Sequence, residues 1–128
     1  MSQEAANKAL WALIPDLFLR VRIEALARAA GAALRAFPTP AALLAALAED
    51  SPGPRAILVD LHARDDAAFT LLAALAGRPD GAPTLGFHSH VDIATRERAL
   101  AAGCTRVVPR SALMNRFAEL VAEVSARG

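Results

Sequence analysis

The sequence predicts an α/β domain built around a parallel sheet of five strands. Five times along the chain, a short apolar run of strand length is followed by a segment in which apolar residues recur every three or four positions, as on one face of a helix. The run RAILVDL at 55–61 is apolar throughout its centre, which is typical of a strand covered by helices on both faces. With 128 residues, of which 55% are hydrophobic and 21% charged, the chain has room for one domain with one core.

Each predicted element has a recognisable start or end. The predicted strands span residues 11–15, 32–37, 55–61, 83–90 and 105–109. The predicted helices run from Leu17 to Ala30, from Thr39 and Pro40 to the stop at Ser51, from Asp65 or Asp66 to Gly77, from Asp92 to Gly103, and from Ser111 towards the end of the chain. Aspartate, serine and threonine cap the first turn of a helix, and glycine favours its C-terminal end. Residues 1–10 are predicted to be a short tail and residues 11–128 a single domain.

Strand and helix alternate with short connections, a pattern that requires parallel strands joined by crossovers over the sheet. Because such crossovers are right-handed, successive helices cover both faces of the sheet. The simplest arrangement is a doubly wound sheet in the order 2-1-3-4-5, which is a flavodoxin-like fold of three layers, α/β/α. In such a sheet the functional crevice lies at the carboxyl ends of the strands, near the point where the strand order reverses.

The bulk composition argues against several classes of function. The formal net charge is +1 and the basic residues are scattered, so nothing favours binding to nucleic acid or to an acidic membrane surface. No apolar run approaches the roughly 20 residues that span a bilayer, and the N-terminus does not resemble a signal peptide. The single cysteine, Cys104, cannot form an internal disulfide, which fits a reducing compartment. We therefore expect a cytoplasmic protein.

Polar side chains follow four of the five predicted strands. They are Asp16 after the first strand, Asp60 and His62 after the third, His88, Ser89 and His90 at the end of the fourth, and Arg110 after the fifth. Because the carboxyl ends of parallel strands meet at one edge of the sheet, we expect these side chains to lie close together. Two carboxylates on neighbouring strands, Asp16 and Asp60, repel each other unless a cation lies between them. Carboxylates and a backbone carbonyl are the oxygen ligands that Mg²⁺ prefers.

Two segments resemble the receiver domain of bacterial response regulators. AILVDL at 56–61 is similar to the receiver segment in which the aspartate that ends strand 3 accepts a phosphoryl group. ALAAGCTRVVPR at 99–110 is similar to the passage from helix 4 to strand 5, where an Ala-Gly pair leads to a strand ending in lysine. The resemblance covers about residues 11–125 and implies a flavodoxin-like signalling domain.

The resemblance assigns roles to single residues in the predicted crevice. The intervals from Asp16 to Asp60 and from His88 to Arg110 match those between the corresponding receiver positions. Asp60 would be the phosphoacceptor and Asp16 a direct ligand of Mg²⁺. The backbone carbonyl of His62 would complete the protein's share of the coordination. This arrangement is chemically sound because the metal neutralises charge on the phosphoryl oxygens while a carboxylate oxygen attacks phosphorus.

The sequence departs from the receiver pattern at several positions around this pocket. Receivers carry two acidic residues after strand 1, and Pro15 stands in the place of the first. The Thr or Ser that senses the phosphoryl group is replaced by His88, with Ser89 one place along. The lysine that contacts the phosphoryl group is Arg110, which keeps the charge but not the compact shape of an ammonium group. His88, Ser89 and Arg110 are therefore the candidates for contacts to the phosphoryl group.

These residues predict a stand-alone atypical receiver-like signalling module, a phosphoacceptor and not an enzyme, switched by phosphorylation at Asp60 with Mg²⁺. It would act through a protein partner, either a histidine kinase or a downstream effector, on the face formed by helix 4, strand 5 and helix 5. A homodimer is a further alternative. Two other functions stay open. One is a pseudo-receiver that serves as an interaction scaffold without phosphorylation, which Pro15 and His88 favour. The other is a small ligand-binding or hydrolase domain that uses His88 and His90 with Asp60.

Overall fold

The sheet contains the predicted strands in the predicted order. The computed structural model describes residues 9–49, 53–78, 81–89 and 92–127. Within these ranges the strands are β1 (Leu10–Leu13), β2 (Leu34–Phe37), β3 (Ala56–Asp60), β4 (Thr84–His88) and β5 (Arg106–Pro109). They are parallel and lie in the order β2-β1-β3-β4-β5, so the chain crosses from one half of the sheet to the other between β2 and β3. The prediction of a doubly wound five-stranded sheet is confirmed.

Helices cover both faces of this sheet. In the described part of the chain they are α1 (Leu17–Ala29), α2 (Pro40–Glu49), α3 (Ala67–Ala76), α4 (Ile93–Ala101), α5 (Arg110–Asn115) and α6 (Phe117–Ser125). Buried residues of α1, α5 and α6 pack on one face, together with Leu58 of β3 and Phe87 of β4. Buried residues of α2, α3 and α4 pack on the other face, together with Ile57 and Val59. This alternation along β3 explains why its sequence is apolar at every position from Ala56 to Val59.

Three helices begin with the predicted side-chain caps. Asp16, Thr39 and Asp92 each accept a hydrogen bond from a backbone N–H in the first turn of α1, α2 and α4, at 2.8, 3.1 and 3.1 Å respectively. These bonds satisfy amide groups that have no partner inside the helix. At the other end of α1, Gly31 adopts a φ of +75°, the left-handed conformation that glycine favours after a helix.

The third helix begins after one of the two predicted cap residues, Asp66, but without a side-chain capping hydrogen bond. Asp65 and Asp66 both lie in the left-handed region, with φ of 57° and 55°, and no side-chain hydrogen bond caps α3. Both residues belong to a 3₁₀ turn, Arg64–Asp66, that precedes the helix. Aspartate tolerates this conformation better than most residues, because its short polar side chain bonds locally. Asp66 therefore occupies the N-cap position of α3, as predicted, but its side chain accepts no capping hydrogen bond, and the loop after β3 carries backbone strain instead.

The last predicted helix is broken in two. It starts at Arg110, one residue before the predicted Ser111, and its first part ends at Asn115. Arg116 has a φ of −130° and a ψ of 35°, which are not helical values, so α6 starts again at Phe117. The residues predicted to face the core are nevertheless buried: Leu113, Phe117, Leu120 and Val124.

Some predictions extend beyond the described residues. β4 ends at His88, two residues before the predicted end, and His90 lies outside the described ranges. Residues 1–8, most of the predicted tail, also lie outside them. Over the ranges that are described, no helix has the length and apolar character needed to cross a membrane.

Candidate functional site

A cavity at the carboxyl ends of the strands brings most of the predicted site residues together. It has a volume of about 540 Å³ and is lined by Pro15, Asp16, Asp60, His62, Ala63, Arg64 and Arg110. These residues come from the end of β3, from the segments that follow β1 and β3, and from the start of α5. The cavity lies where the strand order reverses, which is the place at which sheets of this type bind their ligands.

Asp60 is the most deeply buried polar group of this cavity. It ends β3 and is 6% exposed. The backbone N–H of His62 donates a hydrogen bond to its Oδ1 at 3.0 Å, which orients the carboxylate. Burial raises the pKa of Asp60 because the charged form loses hydration, while the hydrogen bond from His62 and the charge of Arg110 act in the opposite direction. The ionised carboxylate is therefore stabilised by any cation placed beside it.

Asp16 provides a second carboxylate in the same cavity. Its Oδ1 accepts hydrogen bonds from the backbone N–H groups of Phe18 at 2.8 Å and Leu19 at 3.2 Å, so the N-cap of α1 fixes its orientation. The negative charge of Asp16 also raises the pKa of Asp60, though less than burial does. The two carboxylates thus repel each other across the cavity, an arrangement that favours a bound cation.

The donor set suits magnesium better than a softer metal. Asp16 and Asp60 bring carboxylate groups to this cavity, and His62 lies in the same lining, so its backbone carbonyl is the candidate for a third oxygen ligand. Mg²⁺ is held by few carboxylates and retains several waters, so two carboxylates and a carbonyl are a sufficient protein share. No group of three or more His, Cys, Asp or Glu side chains among the described residues could hold a metal ion. A cation in this cavity would therefore depend on the two carboxylates, on backbone oxygen and on water.

Two arginines line the cavity. Arg110 is half-buried, and its Nε is buried without a hydrogen-bond partner among the described residues. Arg64 is exposed and lies in the 3₁₀ turn that follows β3. A planar guanidinium group presents several donors that match the oxygens of a phosphate. Arg64 is missing from the residues predicted from the sequence, although its place four residues after Asp60 puts it in the loop at the same sheet edge.

His88 and Ser89 are not among the residues that line this cavity. His88 ends β4 and is 4% exposed, whereas Ser89 is exposed. Phe87 packs on the face covered by α1 and α6, so alternation along the strand takes His88 to the face covered by α2, α3 and α4. The structure therefore brings Asp60 and Arg110 into one cavity without His88. A contact between His88 or Ser89 and a phosphoryl group stays a prediction.

The raised pKa of Asp60 makes its charge a destabilising feature near neutral pH. The folded protein holds the Asp60 proton more tightly than the unfolded chain, so the stability contributed by Asp60 is fully present below pH 3.8 and is lost as the pH rises through the folded-state pKa. Asp60→Asn keeps an oxygen acceptor for the His62 N–H and removes the charge. We expect this variant to melt roughly 2–6 °C above the native protein at about pH 7.

Thermal melts of both proteins over a range of pH check this expectation. The difference in melting temperature should shrink as the pH falls towards the value of 3.8 at which an ordinary Asp side chain titrates. A difference of the same size at every pH would show that the charge of Asp60 is not its cause.

Comparison with solved structures identifies the fold. A putative response regulator from Chloroflexus aurantiacus superposes with a TM-score of 0.84 at 19% identity, over 94% of this chain and 98% of that one. A response regulator receiver protein from Burkholderia phymatum gives 0.79 at 24% identity, over 93% and 95%. The phosphorylated cyanobacterial phytochrome response regulator RcpA gives 0.71 at 16% identity, over 92% and 91%. No family model matches the sequence, and neither does any curated protein. Over almost its whole length, the chain has the fold of response regulator receiver domains.

Proposed function

We propose that this chain is an atypical receiver-type signalling module in which Asp60 accepts a phosphoryl group. The observation that carries the proposal is the cavity where Asp16, Asp60 and Arg110 meet at the reversal of strand order. The receiver fold supports it, and one protein similar in fold, RcpA, is described in a phosphorylated form.

Asp60 would act as the nucleophile. One of its carboxylate oxygens forms a bond to the phosphorus atom of the donor. The bond from phosphorus to the donor's leaving atom breaks, and its electron pair departs with that atom. Because the His62 N–H already donates to Oδ1, Oδ2 is the oxygen better placed for attack. The product is an acyl phosphate on Asp60, and the module acts as an acceptor of the group.

The surrounding residues would hold Mg²⁺ and the transferred group. Asp16, Asp60 and the carbonyl of His62 would bind the ion, which when bound supplies positive charge to the phosphoryl oxygens. Arg110 would donate hydrogen bonds to those oxygens in the place of the receiver lysine, and its buried, unpaired Nε favours such a contact. Because Pro15 replaces one carboxylate, we propose that the ion binds more weakly than in receivers with two acidic residues there.

Signal output would pass through contacts with a protein. α4 exposes Ile93, at 67%, and Leu100, which lie seven residues apart and therefore on one side of the helix. Arg106 of β5 forms an ion pair with Glu123 of α6 on the neighbouring part of this surface. Apolar groups beside charged ones are typical of protein interfaces. We propose this α4–β5–α6 surface as the contact site for a downstream effector, with a homodimer as the alternative.

A second exposed apolar surface lies beside the cavity. Leu17, Phe18 and Val21 of α1 are all exposed, Phe18 at 82%. They follow directly on Pro15 and Asp16, which line the cavity. Single exposed apolar residues are common, but a group of them next to a functional cavity marks a site of protein contact. We propose that the phosphodonor protein, a histidine kinase, docks on this part of α1.

Phosphoryl transfer to the isolated protein tests the proposed function. The native protein and Asp60→Asn would be incubated with a small acyl phosphate, with and without Mg²⁺, and analysed by mass spectrometry. We expect the native protein to gain one phosphoryl group in the peptide that contains Asp60, and only when Mg²⁺ is present. Asp60→Asn should gain none. A phosphoryl group on a different residue, or equally on both proteins, would rule out Asp60 as the acceptor.

A scaffold that works without phosphorylation is the second candidate. Pro15 in the cavity wall favours it, because one metal-binding carboxylate is missing. In that case the charge of Arg110, which partly offsets the effect of burial on the pKa of Asp60, would serve only to neutralise the carboxylate. Partner binding would then survive Asp60→Asn, and no phosphoryl transfer would occur. A hydrolase that combines His88 and His90 with Asp60 finds no support in the described residues, because His88 does not line the cavity.

A further inference from the structure

The loop after Asp60 adopts a conformation that needs an external contact. Ala63 and Arg64 line the cavity, and the next two residues, Asp65 and Asp66, have φ of 57° and 55°. Consecutive left-handed residues without glycine are rare, because Cβ crowds the backbone in that region. Such a turn persists only where surrounding contacts hold it. The shape of this side of the cavity therefore depends on whatever fixes Asp65 and Asp66.

Arg98 of α4 provides that contact. Its two terminal nitrogens donate hydrogen bonds to the two carboxylate oxygens of Asp66, at 3.3 and 3.2 Å. Its guanidinium carbon also lies 3.7 Å from the centroid of the Phe69 ring in α3. A bidentate ion pair and stacking on an aromatic ring together define the position of the guanidinium. One side chain thus links α4 to the end of the loop and to the first turn of α3.

We propose that Arg98 is a positioning residue for the cavity, acting through Asp66, and that this contact couples α4 to the phosphoacceptor site. The inference rests on the proposed function of Asp60. Without the ion pair, the left-handed turn loses the group that holds it, and Arg64 and Ala63 are released from the cavity wall. A ligand of Asp60 must then restore the turn as it binds, which lowers its apparent affinity.

The coupling operates in both directions. A ligand that favours the observed loop stabilises the contact between Asp66 and Arg98. A partner that binds α4 and changes this contact therefore alters the affinity of the pocket for its ligand. By thermodynamic linkage, the ligand alters the affinity of α4 for the partner by the same factor. Ile93 and Leu100 are exposed on the same helix, so a partner bound to them would contact the helix that carries Arg98. This route does not require His88 to contact the phosphoryl group.

Matched variants separate this role from a general effect on folding. Arg98→Ala removes the guanidinium, and Asp66→Asn removes only the charge of its partner, since asparagine also tolerates the left-handed region. Arg96→Ala is the control, because it removes an exposed arginine from the same helix. Beryllofluoride, a stand-in for the phosphoryl group, would be titrated at fixed Mg²⁺ into each variant, into the double variant and into the native protein. The exchange of backbone amides at residues 63–67 would be followed in the unliganded proteins.

Arg98→Ala and Asp66→Asn should each weaken beryllofluoride binding roughly three- to tenfold, and the double variant should bind no more weakly than either single one. Arg96→Ala should stay within about twofold of the native protein. Exchange at residues 63–67 should be faster in Arg98→Ala than in Arg96→Ala. The melting temperatures of these two variants should be similar, because an exposed ion pair contributes little to global stability.

Other results would overturn the inference without affecting the role of Asp60. One such result is that Arg98→Ala and Arg96→Ala bind beryllofluoride with equal affinity. The other is that the losses of affinity in Arg98→Ala and Asp66→Asn add up in the double variant. If the native protein binds no beryllofluoride, the proposed function fails, and amide exchange decides the link between Arg98 and the loop on its own. Faster exchange in Arg98→Ala would still support that link, and equal exchange in the two arginine variants would overturn it.

Discussion

Phe87→Ala is expected to cost about 3–5 kcal/mol of folding free energy, because it removes a large aromatic side chain from the centre of the core. Phe87 is fully buried in β4 and packs with the residues of α1 and α6. It also lies opposite Asp60 in the parallel register between β3 and β4. A domain of this size has a total stability of about 5–15 kcal/mol, so this loss is a substantial fraction of it.

Urea unfolding of the variant beside a matched control checks this expectation. Phe18→Ala is the same substitution at a position that is 82% exposed, and its free energy of unfolding should stay within about 0.5 kcal/mol of the native value. Similar losses in the two variants would contradict the position of β4 at the centre of the core.

Asp16→Ala is expected to remove a helix cap and the proposed ligand of Mg²⁺ together, whereas Asp16→Asn should remove only the proposed ligand. The alanine variant loses the acceptor for the backbone N–H groups of Phe18 and Leu19, at a cost of about 1 kcal/mol. The asparagine variant keeps an oxygen acceptor there. Both lose the charged oxygen, so Mg²⁺-dependent binding of beryllofluoride should weaken by roughly 10–100-fold in each.

Melting curves without ligand and beryllofluoride titrations with Mg²⁺ separate the two roles of Asp16. The asparagine variant should melt like the native protein but bind the ligand as weakly as the alanine variant. If it binds like the native protein, Asp16 is a helix cap and not a ligand of the ion.

The fold is predictable from the sequence because parallel strands have a strong signature. Ile57, Leu58 and Val59 point alternately to the two helical layers, so every central position of β3 must be apolar. Helix starts at Asp16, Thr39 and Asp92 are equally local features, since each side chain caps a backbone amide two or three residues along. Local signals of this kind need no knowledge of distant parts of the chain.

The loop after β3 and the break before α6 are not predictable in this way. Aspartate suits both a helix cap and a left-handed turn, so the sequence alone does not choose between them at Asp65 and Asp66. The contact that favours the turn comes from Arg98, which lies 32 residues after Asp66 in the chain. At Arg116 neither glycine nor proline marks the break, and its ion pair with Glu119 is visible only in the structure.

The candidate site is predictable where it depends only on the sheet edge. Asp16, Asp60, His62 and Arg110 meet because each lies at or just after the carboxyl end of β1, β3 or β5, and these ends share one edge of the parallel sheet. The place of His88 depends instead on which face of β4 it occupies, and alternation along the strand settles this only once the structure assigns Phe87 to the layer of α1, α5 and α6. Arg64 enters the cavity through the 3₁₀ turn, whose geometry no sequence pattern indicates.

The central claim, that Asp60 lies in a working phosphoacceptor pocket, is tested most directly by thermal stability with Mg²⁺ and beryllofluoride. A ligand that binds only the folded protein raises its melting temperature, by roughly 10 °C in a domain of this size when the ligand is about 100-fold above its Kd. We predict such a rise in the native protein, only with both reagents present, and none in Asp60→Asn, whatever the melting temperature from which that variant starts. No rise in the native protein, or an equal rise in both proteins, would contradict the claim and favour the scaffold that works without phosphorylation.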